Sequence, residues 1–295
     1  MNRSRIQIAK ADIIKHFDEL PIHVLKLKEI RAILASQRTF WRLAQSTTTE
    51  HFIDFLQQHA KLRKVEFLFP QRAEQCFVWG EVPLLSTLLT LRKDLYFSHY
   101  TAVRMHGLTE QTPTTLYLTD ERSAGTQHER AALSQSDIDQ AFRGPARISH
   151  NWVEHAGKKI YLLNGAHTEH LGVGTERVTD EGGQEVFVRV TNLERTLIDI
   201  TVRPSYAGGI FEVAKAFELA KDRVSINKLV ATLRKLDFAY PYHQAIGYYL
   251  DRAAYKPSQI DLVRRLPIER DFYLVHEMHE TRYVEPWRLF VPGGF

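Results

Sequence analysis

The charged residues with the clearest potential for chemistry lie in the stretch 191–209, which reads TNLERTLIDITVRPSYAGG. Arg195 and Asp199 are four positions apart, so in a helix they face one side and can form an ion pair. Glu194 and Asp199 are five positions apart, a spacing that does not direct two helical carboxylates at one metal ion. The main interpretation is therefore an internal ion pair that fixes helix packing, and a functional surface is the alternative.

The histidines and the cysteine give no stronger signal. Among 14 histidines the closest spacings are His276/His279 and His167/His170, each three apart rather than four apart as in a zincin helix. The first pair lies in a predicted strand, where positions three apart face opposite sides. Cys76 is the single cysteine, so no disulfide or thiolate cluster can form within one chain. We predict no metal, no cofactor and no catalytic residue, and therefore no enzyme.

The stretch around Arg195 and Asp199 predicts a short, mostly buried helix. Thr191 and Glu194 have the spacing of a capping box, in which each side chain bonds a backbone amide at the helix start. The helix must stop at Arg203, because Pro204 disfavours helical geometry in the residue before it. The predicted apolar face consists of Leu193, Leu197, Ile198 and Ile200.

This stretch resembles the antitoxicity domain of the AbiEi antitoxins of type IV toxin-antitoxin systems. That domain carries a similar Glu-Arg-Thr-Leu-Ile-Asp helix, followed by Arg-Pro and a Gly-Gly turn. Two further stretches, 96–109 and 244–250, are similar to other motifs of the same domain, so the resemblance spans residues 96–250. The residues that carry the helix and turn motif are Glu194, Arg195, Asp199, Arg203, Gly208 and Gly209.

The resemblance implies an antitoxin that represses its own operon and counters a nucleotidyltransferase toxin of the AbiEii type in bacterial phage defence. It also implies that a stable complex with the toxin is not required. The alternative is a stand-alone winged-helix transcription regulator whose residues 84–295 sense a ligand or partner. A metal-dependent nuclease is a remote alternative. Whether the adjacent gene encodes a nucleotidyltransferase would distinguish the first two.

The first 80 residues predict a winged helix-turn-helix. Apolar residues at helical spacing predict two helical regions, at 4–20 and 27–43, and a break near Ser36 is the alternative for the second. Thr47 and Glu50 form a second capping-box pattern, which opens a third helix. Two strands, at 65–69 and 75–79, then flank a turn with a basic tip. Helix, helix, turn, helix and hairpin is the element order of a winged helix-turn-helix.

In that fold the third helix enters the major groove, while the second helix and the wing contact phosphates. We predict that Gln58 binds adenine and that Asp54 accepts from cytosine. The expected partner is double-stranded DNA, an operator of inverted repeats. The predicted base-contacting residues are Thr47, Thr48, His51, Asp54 and Gln58. The predicted phosphate-contacting residues are Arg38, Arg42, Lys61, Arg63, Lys64 and Arg72.

The charge distribution supports an anionic partner for the N-terminal segment. Residues 1–80 contain 13 Lys+Arg and 8 Asp+Glu, a net charge of +5, whereas the rest of the chain carries −1. Glu50, Asp54 and the sparse basic charge on the third helix count against DNA. A small helical domain with a solvated polar face is therefore the alternative.

The 295 residues, with 44% hydrophobic content, are enough for one large or two medium domains. We predict an α+β protein with an N-terminal winged helix-turn-helix at 1–80 and a mixed α+β antitoxicity-like domain at 84–295. Residues 121–147 predict a loop with at most one short helix, at 136–142. No membrane-length apolar run or signal peptide is present, so we expect the cytoplasm and no membrane.

Overall fold

A computed structural model describes residues 4–125 and 133–295, in which helices and β-sheets are mixed along the chain. The predicted α+β class is thereby confirmed. The contacts between Cα atoms divide the chain into two units. The first comprises Met1–Leu95 with Arg177–Val188, and the second comprises Tyr96–Glu176 with Arg189–Phe295. Part of the predicted 121–147 loop, residues 126–132, lies outside the described residues.

The first unit begins with helices and ends in an antiparallel hairpin. The strands form a three-stranded sheet in the order β1-β3-β2, in which Val24 pairs with Val78 and Arg63 also pairs with Val78 from the other side. Its elements are α1 (Arg5–Ile8), α2 (Lys10–Asp18), β1 (Val24–Leu25), α3 (Leu27–Gln37), α4 (Thr49–His59), β2 (Leu62–Leu68), β3 (Ala73–Trp79) and α5 (Leu84–Leu89).

Aromatic rings form the centre of the first unit's core. Phe17 of α2 lies 4.8 Å from Trp79 of β3, centroid to centroid, and Trp41 stacks on Phe52 of α4 at 5.8 Å. The prediction of one continuous first helix needs correction, because that helix is interrupted at Ala9. The second helix ends at Gln37, at the alternative break near Ser36 rather than at 43. Phe40, an apolar residue of the predicted region 27–43, is 72% exposed, because residues 38–47 form a turn instead of continuing the helical periodicity.

The second unit contains most of a mixed six-stranded sheet, in the order β6-β7-β5-β4-β9-β8, together with a three-stranded sheet, β10-β12-β11, and a group of helices. Residues 177–179 of β8 and 185–188 of β9 are counted with the first unit. Its first elements are β4 (Tyr96–Phe97), α6 (His99–Met105), β5 (Thr115–Glu121), α7 (Gln135–Arg143), β6 (Trp152–His155), β7 (Lys158–Gly165), β8 (Val173–Thr179) and β9 (Glu185–Thr191). They are followed by α8 (Leu193–Val202), α9 (Ile210–Ala220), α10 (Ile226–Leu236), α11 (Tyr242–Arg252), α12 (Pro257–Arg264), β10 (Phe272–Tyr273), β11 (Thr281–Val284) and β12 (Leu289–Pro292).

Helix α8 lies in the core of this unit, as its apolar face predicts. Leu197, Ile198 and Ile200 are completely buried in one cluster with residues of α9, α10 and α11. The helix ends at Val202, one residue before the Arg203-Pro204 step, so the predicted stop is confirmed. Gly208 and Gly209 follow with φ of +80° and +95°, which is the left-handed backbone that glycine adopts without strain.

Gly247 in α11 allows Trp287 to pack directly against the helix backbone. A Cβ atom at position 247 would lie 2.2 Å from two atoms of the fully buried Trp287 ring. Glycine to alanine in a helix normally stabilises a protein, but here the added methyl group cannot be accommodated. We expect Gly247→Ala to lower the free energy of unfolding by about 1–3 kcal/mol, measured by urea denaturation followed by circular dichroism.

The matched control is Gly174→Ala in β8, because no atom lies within 4 Å of a Cβ built at that position. That variant should leave the unfolding midpoint nearly unchanged. If Gly247→Ala were neutral or stabilising, the close packing of Trp287 on this glycine would be refuted.

Candidate nucleic-acid interface and the polar cluster of the second unit

The N-terminus of α4 differs by one residue from the prediction. Thr48, not Thr47, is the N-cap, and its Oγ1 accepts a hydrogen bond of 3.1 Å from the backbone N–H of His51. Thr47 is buried, with 8% of its surface exposed. Thr47 therefore does not lie on the outward face, whereas Thr48 is exposed at the start of the helix.

Besides Gln57, the outward face of α4 carries the exposed polar side chains of His51, Asp54 and Gln58. Their spacing of three and four residues places them in one stripe along the helix. The opposite face holds four buried apolar residues, Phe52, Ile53, Phe55 and Leu56. The predicted outward positions of these three residues are confirmed, and their contact with bases stays a prediction.

Arg38 has a structural role in the turn between α3 and α4. Its guanidinium donates to the carbonyl oxygens of Ala44 at 2.5 Å and Thr47 at 2.9 Å, and it is half-buried. These bonds hold the ten-residue turn in place, so the guanidinium is not freely available to a phosphate. Arg42 lies in the same turn, is exposed and has a positive φ of 54°.

Four of the predicted phosphate-contacting residues lie within 4 Å of carboxylates. The pairs are Lys61 with Asp18 at 2.8 Å, Arg63 with Glu81 at 3.3 Å, Lys64 with Glu66 at 2.5 Å and Arg72 with Glu74 at 3.7 Å. Hydrogen bonds from Lys61 and Trp79 lower the pKa of Asp18, so this carboxylate stays charged at neutral pH. Within residues 4–125 and 133–295, Arg42 is the predicted phosphate contact whose side chain makes neither a hydrogen bond nor an ion pair.

Two basic residues were missed by the sequence analysis. Lys28 and Arg31 are exposed on α3, three residues apart and away from the buried Ile30 and Leu34. The helical periodicity of α3 contains this information, because positions that alternate with a buried stripe face solvent. Together with Arg42, they are further candidates for phosphate contacts around α4.

In the second unit, Arg195 and Asp199 form the predicted pair. Arg195 Nε donates to Asp199 Oδ1 at 2.7 Å, and both residues are less than a tenth exposed. Arg195 also donates to the carbonyl oxygen of Leu171 at 2.7 Å. Burial by itself lowers the pKa of Arg195, but the charge and hydrogen bond of Asp199 outweigh it and raise this pKa. The pair thus connects α8 to the loop before β8.

Glu194 does not form the capping box predicted with Thr191. The N-cap of α8 is Asn192, whose Oδ1 accepts from the N–H of Arg195 at 2.9 Å. Glu194 instead accepts from the N–H of Ser225 at 3.1 Å and pairs with Lys228 at 2.9 Å. Its carboxylate therefore binds the first turn of α10, a partner that no local sequence pattern indicates.

A second carboxylate, Glu121, organises the end of β5 and was not found from the sequence. It accepts hydrogen bonds from the N–H of Thr168 at 2.7 Å and the hydroxyl of Tyr96 at 3.0 Å. The N–H of His170 donates to it as well, at 3.3 Å. Burial tends to raise the pKa of Glu121, but the bonds from Thr168, His170 and Tyr96 lower it below the ordinary value. Glu121 is thus an ionised anchor for the loop at 166–172 between β7 and β8.

His99 is the first residue of α6 and lies near the charges of Arg195 and Asp199. Its backbone has a left-handed φ of 50°. Its Nδ1 is 2.8 Å from Ser98 Oγ, which is in turn 2.7 Å from Thr119 Oγ1. Burial lowers the pKa of His99 to about 4, so the ring is neutral at pH 7. Ser98 is 1% exposed, so this serine and histidine present no nucleophile to solvent.

His276 and His279 do not share a strand, because β10 ends at Tyr273 and β11 begins at Thr281. In the described part of the chain, no group of three or more His, Cys, Asp or Glu side chains could hold a metal ion. Nor does any helix there have the length and apolar character needed to span a membrane.

Comparisons with known proteins yield a fold relationship. No family model and no curated protein matches the chain. Among solved structures, the chain is similar to the crystal structure of RV2827C protein from Mycobacterium tuberculosis, with a TM-score of 0.59. The two share 12% sequence identity, and the alignment covers 98% of this chain and 93% of that chain. At this identity the likeness shows the fold alone.

Proposed function

We propose that the protein is a DNA-binding transcription regulator and that its residues 1–80 form a winged helix-turn-helix. The observation that supports this most directly is the element order α2, β1, α3, α4, β2, β3 together with the sheet order β1-β3-β2. This is the arrangement in which a hairpin wing follows a recognition helix. Helix α4 carries the exposed polar stripe that such a recognition helix needs.

In this proposal α4 enters the major groove. Asp54 and Gln58 meet base edges, and Thr48 and His51 lie at the entering end of the helix. Arg42, in the turn before α4, meets the phosphate backbone, as does Arg72 at the tip of the hairpin. Arg72 must share its charge with Glu74, so Arg42 is expected to contribute the larger part of the phosphate attraction.

We further propose that the regulator is an antitoxin. It would repress its own operon in the bacterial cytoplasm and counter a nucleotidyltransferase toxin, without requiring a stable complex. The support is the resemblance of Glu194, Arg195, Asp199, Arg203 and the glycine turn to the AbiEi motif. Arg195 and Asp199 are buried, so we assign them to the scaffold of the antitoxicity domain rather than to a surface that contacts the toxin.

Two experiments test these proposals separately. The full-length protein is titrated with the DNA upstream of its own gene at several salt concentrations, and binding should weaken as salt rises because phosphate neutralisation releases counterions. Co-expression with the neighbouring gene then tests antitoxicity through growth rescue. DNA binding without rescue would favour a stand-alone regulator, and the absence of salt-dependent binding would refute the DNA proposal.

Gln58→Ala should separate base contacts from phosphate contacts. Loss of a bidentate contact with a base costs about 1–3 kcal/mol, so we expect that loss on the operator and little change on a scrambled duplex. Arg42→Gln should weaken binding to both duplexes similarly and reduce the salt slope by about one. Binding isotherms on both duplexes at several salt concentrations measure these effects.

Arg38→Gln is the control variant for Arg42→Gln. Because Arg38 braces the turn before α4, this variant should lower the melting temperature, whereas Arg42→Gln should leave it unchanged. Equal losses on operator and scrambled DNA for Gln58→Ala would show that this face of α4 does not read bases.

A further inference from the structure

A cavity of about 380 Å³ lies wholly within the second unit, next to the end of α8. No part of the proposed DNA-binding function uses it. Its volume would hold about a dozen water molecules, which is the size range of a small organic ligand. The walls are mostly apolar, with side chains from Phe142, Ile148, Val202, Ile210, Tyr242 and Leu274.

Arg203 is the cationic residue of this lining. It is the C-cap residue of α8, with φ of −135° and ψ of 70°, and it is half-buried. Over the two described ranges, its guanidinium has no hydrogen bond and no carboxylate within 4 Å. Arg195, eight positions earlier in the chain, is by contrast fully paired with Asp199. A half-buried guanidinium without a partner is unfavourable, so an anion in the cavity would gain a strong contact at little cost.

The other polar groups of the lining do not compete for that role. His276 Nδ1 lies 3.2 Å from the carbonyl oxygen of Ala141, and its ring stacks on Phe142 at 4.2 Å. Burial lowers the pKa of His276, so the imidazole is neutral at pH 7 and adds no charge. Glu277 also contributes to the lining, but it is exposed. Ser205 is exposed as well and offers a hydroxyl donor near Arg203.

We propose that this cavity binds a small organic carboxylate with an apolar, aromatic-sized body. The carboxylate forms a charge-assisted, two-bond contact with Arg203, and the body packs between Phe142, Tyr242 and Leu274. An inorganic anion would leave the apolar walls unfilled, and a neutral apolar molecule would leave Arg203 unpaired. The site belongs to the second unit by itself, so it does not depend on the DNA-binding proposal.

The test uses the full-length protein and two probes of equal shape, 3-phenylpropionate and its neutral amide, with binding followed by NMR chemical-shift titration. The carboxylate should bind at millimolar or lower concentration and the amide about tenfold more weakly, because a hydrogen bond to a charged group is lost. Equal binding of the two probes, or no binding of either at millimolar concentration, would overturn the proposal.

Variants locate the site. Arg203→Gln should weaken 3-phenylpropionate binding about tenfold or more and leave the amide unaffected, whereas Arg265→Gln, at an exposed arginine of α12's C-terminus, should change neither. Glu277→Lys replaces an exposed side chain and keeps the test decisive even if Arg203→Gln does not fold. It should tighten carboxylate binding severalfold without affecting the amide. Unchanged carboxylate affinity in Glu277→Lys would overturn the assignment to this cavity.

Discussion

Asp199→Ala is expected to lower the free energy of unfolding by about 3–5 kcal/mol, because it leaves the buried guanidinium of Arg195 without its counter-charge. Asp199 accepts from Arg195 Nε at 2.7 Å inside α8, where both side chains are almost inaccessible to water. Arg195 would retain its bond to the Leu171 carbonyl, which cannot neutralise the charge. Urea unfolding and thermal melting of the full-length protein measure the loss.

Asp261→Ala is the matched control. Asp261 pairs with Arg264 at 3.2 Å on α12 in the same unit, but about half of each side chain is exposed. Removing this pair should cost roughly 0.5 kcal/mol or less, because solvent already screens it. A variant of Asp199 that loses antitoxicity at an unchanged melting temperature would contradict the scaffold role and would place the pair on a functional surface.

The second prediction with a large expected effect is that the protein loses stability in acid through protonation of His99. The unfolded chain binds a proton at His99 near the ordinary pKa of 6.5, whereas the folded protein holds this pKa at about 4 through burial. The contribution of a neutral His99 to stability is complete above pH 6.5 and is lost as the pH falls towards 4. A difference of this size corresponds to about 3 kcal/mol between the two ends of the window.

His99→Asn should remove most of this pH dependence. Asparagine tolerates the left-handed φ at position 99 and can still bond Ser98, so the variant is expected to fold. Free energies of unfolding measured from pH 7 to pH 4 should fall less steeply than for the unaltered protein. His279→Asn, at an exposed histidine, should keep the original slope. Parallel curves for His99→Asn and the unaltered protein would show that His99 titrates normally in the fold.

These results bear on the antitoxin proposal because both groups lie around the motif that resembles AbiEi. If Asp199 and His99 act only through stability, then conditions that restore folding should restore growth rescue in their variants. Arg203 is different, since it belongs to the same motif yet has no internal partner among the described residues. A ligand-binding defect in Arg203→Gln with normal rescue would favour a sensing role for the second unit, as the stand-alone regulator alternative requires.

Local sequence patterns were sufficient to predict several features of the structure. The stop of α8 before Pro204 and the glycine turn at 208–209 follow from steric limits on single residues, which act in any tertiary context. The outward stripe of α4 and the Arg195–Asp199 pair follow from helical periodicity, which relates residues three or four positions apart. These features depend only on neighbours in the chain.

The partners of polar groups were decided by the tertiary structure. Glu194 had the spacing of a local cap but binds Ser225 and Lys228, because α10 packs against the start of α8. No local sequence pattern indicates a role for Glu121, yet its carboxylate holds a loop more than forty positions away by accepting a hydrogen bond from Thr168. Neither contact is visible in the periodicity of the sequence, because hydrogen bonds between distant segments depend on how the apolar faces pack.

The partners of the charged residues at the candidate DNA interface also were not predicted from the sequence. The charge count indicated a basic segment at residues 1–80. In the structure, however, Lys61, Arg63, Lys64 and Arg72 lie beside carboxylates, and Arg38 braces a turn. A charge count adds every cation equally, whereas the field available to a phosphate depends on which cations have internal partners. The sequence alone determined the outward stripe of α4 and the end of α8. The fold determined which cations have internal partners, because pairing requires proximity that only packing creates.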